Sequence, residues 1–152
     1  LKTLLSLLFF AATTVAAASV SALEPQRLRC KYLENPTGID ITQPRLNWQV
    51  TSDQRGQSQA AYRLLVASSE KQLGSDIGDL WDSGKVESDQ TLFVEYAGSR
   101  LPSREECDWK VQVWDCAGNA TWSDVASWSI GLLNESDWSA DRGKTSLGSL
   151  RD

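Results

Sequence analysis

Residues 107–123 read Cys-Asp-Trp-Lys-Val-Gln-Val-Trp-Asp-Cys-Ala-Gly-Asn-Ala-Thr-Trp-Ser. Period-two alternation assigns Cys107, Trp109, Val111 and Val113 to one face of an extended strand and Asp108, Lys110, Gln112 and Trp114 to the other. Residues 115–119 supply the turn chemistry that ends it, so the segment reads as a half-buried strand entering a hairpin. That points to an antiparallel sandwich, an architecture that carries its functions on loops and seldom does acid–base chemistry in its core.

Working outward, the same alternation recurs along the chain. In residues 28–32, Leu28, Cys30 and Tyr32 are expected inward and Arg29 and Lys31 outward, and the run stops at Asn35-Pro36-Thr37-Gly38. Residues 45–50 place Leu46, Trp48 and Val50 inward, and residues 59–68 do the same with Tyr62, Leu64 and Val66. A helical turn at 69–73 is possible by composition, with no apolar stripe to extend it. Residues 80–86 form a short strand broken at Asp82-Ser83-Gly84, read as an edge bulge or tight turn. Residues 90–96 put Leu92, Val94 and Tyr96 on one face, and residues 125–131 put Trp128 and Ile130 on one face. Seven short strands at turn spacings of about 8–12 residues define an all-β fold, a fibronectin type III or immunoglobulin-like seven-stranded antiparallel β-sandwich.

The ends differ from this middle. In residues 1–22 Lys2 is the sole charge, the run to Val20 is apolar or small, and Val20-Ser21-Ala22 offers a small-residue cleavage site. We read a signal peptide rather than a membrane anchor, because small and hydroxyl residues dilute the run and no basic stop-transfer cluster follows it. The expected localisation is secreted, with one domain over residues 23–138. Residues 139–152 hold only Ala140, Leu147 and Leu150 as apolar residues, the composition of a disordered or aberrant tail.

Charge excludes two partner classes. The chain carries 15 basic and 20 acidic residues, and removing the leader moves the formal charge from −5 to −6. Phosphate backbones and anionic lipid would repel such a domain, and no polybasic stretch offsets that, so neither nucleic acid nor membrane is an expected partner. In an oxidising compartment Cys30, Cys107 and Cys116 allow three single pairings and leave one thiol over. A bridge between Cys30 and Cys107, both on apolar strand faces, is one reading. Three unpaired cysteines, two of them buried as small hydrophobes, is the favoured one, since a domain of this size builds a core without staples.

Catalytic constellations are sparse. With no histidine in the chain, Ser-His-Asp and Cys-His arrangements are absent, zinc sites lose their usual ligand, and no cofactor is expected. The carboxylate pairs Glu105–Glu106, Asp79–Asp82 and Glu87–Asp89 lie in turns or at strand ends and read as solvated charge. Cys116 has no basic neighbour to make it reactive. Among the seven tryptophans, Trp48, Trp109 and Trp128 share parity with aliphatic residues and belong to a core. Trp81, Trp114 and Trp122 do not obviously point inward and are the candidate contacts for a sugar or a neighbouring domain; the favoured reading is domain packing, with Trp114 and Trp122 packing over each other or over Lys and Arg stems on the outer sheet face as its other form.

Five blocks, taken together, carry a resemblance: residues 28–40 from Leu28 to Asp40, Pro44-Arg45-Leu46-Asn47-Trp48, residues 54–62 from Gln54 to Tyr62, Leu80-Trp81-Asp82-Ser83-Gly84-Lys85-Val86, and residues 109–115. In order and spacing they resemble the N-terminal fibronectin type III-like domain of secreted bacterial-type α-L-rhamnosidases, over about residues 26–138. The resemblance implies a non-catalytic module of an inverting glycoside hydrolase whose acids lie in a separate barrel domain, none of it matched here. It also implies that neighbouring rhamnosidase domains are the partners and that the chain is a truncated fragment. A free-standing carbohydrate-binding module and a secreted adhesion or receptor-like domain are the alternatives.

Overall fold

A computed structural model describes residues 23–138; the expected leader and tail lie outside the described residues. Two antiparallel sheets face each other. The smaller has the order β1-β2-β5, from β1 (Glu24–Cys30), β2 (Arg45–Thr51) and β5 (Val94–Glu95). The larger has the order β4-β3-β6-β7, from β3 (Gln59–Ala67), β4 (Trp81–Asp82), β6 (Glu106–Asp115) and β7 (Ala120–Trp122), with β8 (Ala126–Ser129) also pairing β6. β7 and β8 lie along the same strand, β6. Gln112 pairs Trp122 and Trp109 pairs Ala126, so one extra residue is accommodated between them and they form one broken edge strand. The eight segments therefore occupy seven strand positions of an immunoglobulin-like sandwich.

The opening stretch sits at the centre of the larger sheet. Cys107, Trp109, Val111 and Val113 are all buried, as alternation requires. They meet Leu28, Cys30, Leu46, Trp48 and Val94 of the facing sheet, and Tyr62, Leu64, Val66 and Trp128 complete the core. Aromatic rings run through it edge to face, Trp81 on Tyr96 at 5.4 Å, Tyr96 on Trp128 at 6.0 Å and Trp128 on Trp109 at 6.3 Å between centroids.

Two expected inward residues are instead exposed, and backbone geometry explains both. β1 ends at Cys30, where Lys31 and Tyr32 adopt φ of 50° and 69°, and Cys30 and Leu33 exchange backbone hydrogen bonds across them. Two consecutive positive φ values make a tight two-residue hairpin, which breaks parity and turns Tyr32 outward. In the same way Phe93 has φ 59° and its amide donates to the Asn47 side chain at 2.8 Å, so Leu92 leaves the face that Val94 and Tyr96 share. Pro25 fits β1 because that strand is an edge, where a missing N–H breaks no ladder.

A further layer appears where alternation predicts solvent. The short helix α1 (Glu70–Gly74) lies over the outer face of the larger sheet, and its Leu73 is buried with Leu65 and Ala67 while Trp122 packs against them. β3 is thereby buried on both sides. No helix among the described residues is long and apolar enough to cross a membrane.

Candidate functional site

The three candidate tryptophans do not converge on one site. Trp81 lies on the β4 edge of the larger sheet, Trp122 on the opposite edge, and Trp114 near the end of β6. Trp81, whose direction the sequence left open, is half-buried and packs on the core through Tyr96. The Asp82-Ser83-Gly84 break hides the parity of position 81; pairing with the buried Val66 places it on the core face.

Trp114 and Trp122 share the outer face of the larger sheet, and each is half-buried with a lysine over its ring. The Lys85 ammonium stands 5.1 Å from the Trp114 centroid and the Lys110 ammonium 4.3 Å from that of Trp122. Lys110 is itself buried. Its ammonium donates to the Leu73 carbonyl at 2.7 Å and to Asp76 at 2.5 Å, which ties β6 to the C-terminal end of α1. These indoles are thus engaged within the domain. Lys110→Met keeps the stem over Trp122 but leaves the Leu73 carbonyl without its donor. We expect a loss of about 1–2 kcal/mol in urea unfolding, with faster hydrogen exchange confined to residues 70–76. An unchanged midpoint would show that Leu73 packing alone holds α1.

The carboxylates are held by structural partners. Arg63 donates twice to Asp82, at 2.9 and 2.6 Å, and this pair holds the Asp82 carboxyl below its usual range. Burial pushes Asp79 up, but the Ser68 hydroxyl and amide outweigh it and carry that carboxyl below its usual range too. Asp79 and Asp82 are exposed, as are Glu87, which pairs with Lys85 at 3.0 Å, and Asp89. Among the described residues no cluster of His, Cys, Asp and Glu is placed to hold a metal ion.

Asp115 shows what the turn chemistry after β6 does. Its carboxylate accepts from the amides of Ala117 and Asn119, both at 2.9 Å, and from the Asn119 side chain at 2.8 Å. Those donors, the Asn119 side chain foremost, keep it below the usual carboxylate range and close the β6–β7 hairpin. Cys30 and Cys107 are buried in the same core and carry free thiols that burial pushes up to about 12, while Cys116 is exposed and 3.4 Å from the Ser58 hydroxyl.

What the sequence reading missed is an aromatic surface on the other sheet. Tyr32 and Phe93 meet edge to face at 5.9 Å, and the Arg45 guanidinium lies 6.0 Å from the Phe93 centroid. Alternation hid it, because Tyr32 was expected in the core and Phe93 was assigned to neither face. The available signal was Tyr32-Leu33 beside the Asn35-Pro36 turn, two large apolar residues where a chain reversal is expected.

Comparison with known proteins places this geometry. Residues 25–134 match the family described as Rha78A-like, N-terminal immunoglobulin domain. An α-L-rhamnosidase of Streptomyces avermitilis is 43% identical over 122 residues, which is 80% of this chain and 12% of that protein. One from Formosa agariphila is 36% identical over 141 residues, 86% of this chain and 15% of the relative. Among solved structures, Streptomyces avermitilis α-L-rhamnosidase complexed with L-rhamnose superposes with a TM-score of 0.74 at 42% identity, over 78% of this chain and 12% of that one. The Dictyoglumus thermophilum α-L-rhamnosidase gives 0.73 at 34%, over 77% and 13%. The chain spans 12–15% of the length of these curated relatives. It belongs to the family of Rha78A-like N-terminal immunoglobulin domains.

Proposed function

We propose that this chain serves as a non-catalytic β-sandwich module of a secreted α-L-rhamnosidase, supporting and positioning the rest of the enzyme. The observation that carries this reading is coverage: the match takes in most of this chain and about an eighth of each relative. Rhamnoside hydrolysis, inverting as the resemblance implies, then belongs to parts of the enzyme outside residues 23–138. Secretion by a cleaved leader over residues 1–22 fits that role, and so does a gene product that is a fragment of a longer enzyme.

The arrangement of the carboxylates supports the same reading. Glycoside hydrolysis needs two carboxyl groups facing each other across a sugar. Here Asp79 and Asp82 are bound to Ser68 and Arg63 within the fold. The purified chain is expected to release no nitrophenol from an aryl α-L-rhamnoside above the buffer rate, and L-rhamnose is expected to leave its tryptophan emission flat. Turnover that follows the chain through purification would overturn the reading; a saturable emission change without turnover would replace it with a carbohydrate-binding module.

A further inference from the structure

We propose that the apolar surface around Tyr32 and Phe93 is the seat of the rhamnosidase polypeptide that follows this module, an inference that rests on the module reading above and gives it a location. Five of the seven exposed large hydrophobic side chains among the described residues fall here: Tyr32 (66% exposed), Leu33 (58%), Leu92 (52%), Phe93 (46%) and Ile41 (41%). Scattered apolar residues are ordinary on a soluble domain, but a contiguous aromatic group marks an interface.

The surface has shape. Two hollows meet at Tyr32. The larger, about 310 Å³, is lined by Lys31, Tyr32, Ile41, Pro44, Arg45 and Glu95. The smaller lies between Tyr32, Leu92 and the side chains of Arg27 and Arg29. Arg27, Arg29, Lys31 and Arg45 rim this surface together with Glu34, Asp40 and Glu95, Arg29 pairing with Glu34 at 3.4 Å and Lys31 with Asp40 at 3.0 Å, so the partner surface it fits is apolar with polar groups of both signs at its rim.

The backbone is bent to present it. Lys31, Tyr32 and Phe93 all hold positive φ, the first two in the tight hairpin that follows β1. In the free domain the geometry exposes two aromatic rings that regular strands would have turned inward or spread apart.

Position selects the occupant. β1 ends, β2 begins, β5 ends, β6 begins and β8 ends at one end of the sandwich. Ile41 lies two residues beyond Ile39, which pairs with Ile130, and Tyr96 donates its amide to the Pro44 carbonyl. The chain leaves the sandwich at that same end through a 3₁₀ turn, Glu135–Trp138, which Ser103 and Arg104 hold through Asp137. The family domain is N-terminal and makes up 12–15% of the curated relatives, so the bulk of such an enzyme follows from the end of the sandwich where Tyr32 lies. On the opposite face Trp114 and Trp122 are already covered by lysines. The edge-to-face pair of Tyr32 and Phe93 also offers no flat platform for a sugar ring.

The test is hydrogen exchange on two proteins. One is the 152-residue chain alone; the other is the Streptomyces avermitilis enzyme with its matched region replaced by residues 23–138, which hold the described core. In the chimera, peptides covering 30–45 and 90–96 are expected to exchange at least about tenfold more slowly than in the isolated chain, with 110–122 unchanged. Tyr32→Ser with Phe93→Ser should abolish that protection in the chimera and leave the melting temperature of the isolated chain unaltered. Protection on 110–122 instead would overturn the location and leave the module reading standing. No protection anywhere would overturn both. Protection of 30–45 in the isolated chain on self-association, or on adding L-rhamnose, would assign the surface to a second copy or to a sugar and overturn the proposal. If the chimera does not accumulate, mixing the isolated chain with the Streptomyces enzyme lacking its matched region reads the same peptides with the same outcomes.

Discussion

Trp48→Ala is expected to destabilise the domain by about 3–5 kcal/mol, enough to leave a marginally stable sandwich largely unfolded at 37 °C. Trp48 is 1% exposed and packs edge to face on Tyr62 at 5.2 Å across the two sheets. Its indole also donates to the Gln59 side-chain oxygen at 2.9 Å, and the Gln59 amide in turn holds the carbonyls of Ser88 and Gln90. The loop leading into β5 therefore hangs from this pair.

A paired comparison separates packing from polarity. Trp48→Phe removes the donor and leaves the buried Gln59 oxygen unsatisfied, at a cost of about 1–3 kcal/mol beyond the lost volume. Trp109→Phe removes an indole N–H that has no acceptor among the described residues, so it loses volume alone. Urea unfolding should rank Trp109→Phe as the milder change by at least about 1 kcal/mol. The reverse order would mean that the Gln59 link contributes nothing.

Gly98→Ala carries the second large effect. A methyl group there would collide with the Leu80 carbonyl and Trp81 Cβ and stand 2.6 Å from the Tyr96 hydroxyl. Those groups are tied together, since the Tyr96 hydroxyl donates to the Ser99 carbonyl at 2.8 Å and the Ser99 amide donates to Leu80. Two of the three obstacles are backbone or near-backbone atoms that cannot swing aside. We expect a loss of about 3 kcal/mol and a fall in melting temperature of roughly 10 °C or more. Gly74→Ala, at a helical position with nothing within 4 Å, serves as the control and should be neutral or slightly stabilising. Equal effects at the two positions would contradict the packing described around Tyr96.

Alternation made the sandwich legible because its inward residues obey a fixed period wherever the backbone stays regular. Cys107 to Val113, Leu46 with Trp48, and Tyr62 to Val66 all lie where parity puts them. It failed around Lys31, Tyr32 and Phe93, where positive φ interrupts the extended backbone on which alternation depends, so Tyr32 and Leu92 leave the inward face. It also could not foresee α1 covering the outer sheet, since five residues with one buried leucine carry no period. The candidate site suffered most from these two gaps. Trp114 and Trp122 lie on the outer face as read, under Lys85 and Lys110, whereas Tyr32 read as core and is exposed.

The central claim is that residues 23–138 are an interchangeable structural module of an α-L-rhamnosidase. Its most direct test is turnover of an aryl α-L-rhamnoside by the Streptomyces avermitilis enzyme in three forms: unaltered, without its matched N-terminal region, and with that region replaced by residues 23–138. The account predicts that deletion lowers soluble, active enzyme and that replacement restores it with kcat close to the unaltered value. A soluble, folded replacement enzyme that stays as inactive as the deletion, or a deletion that loses nothing, would contradict it.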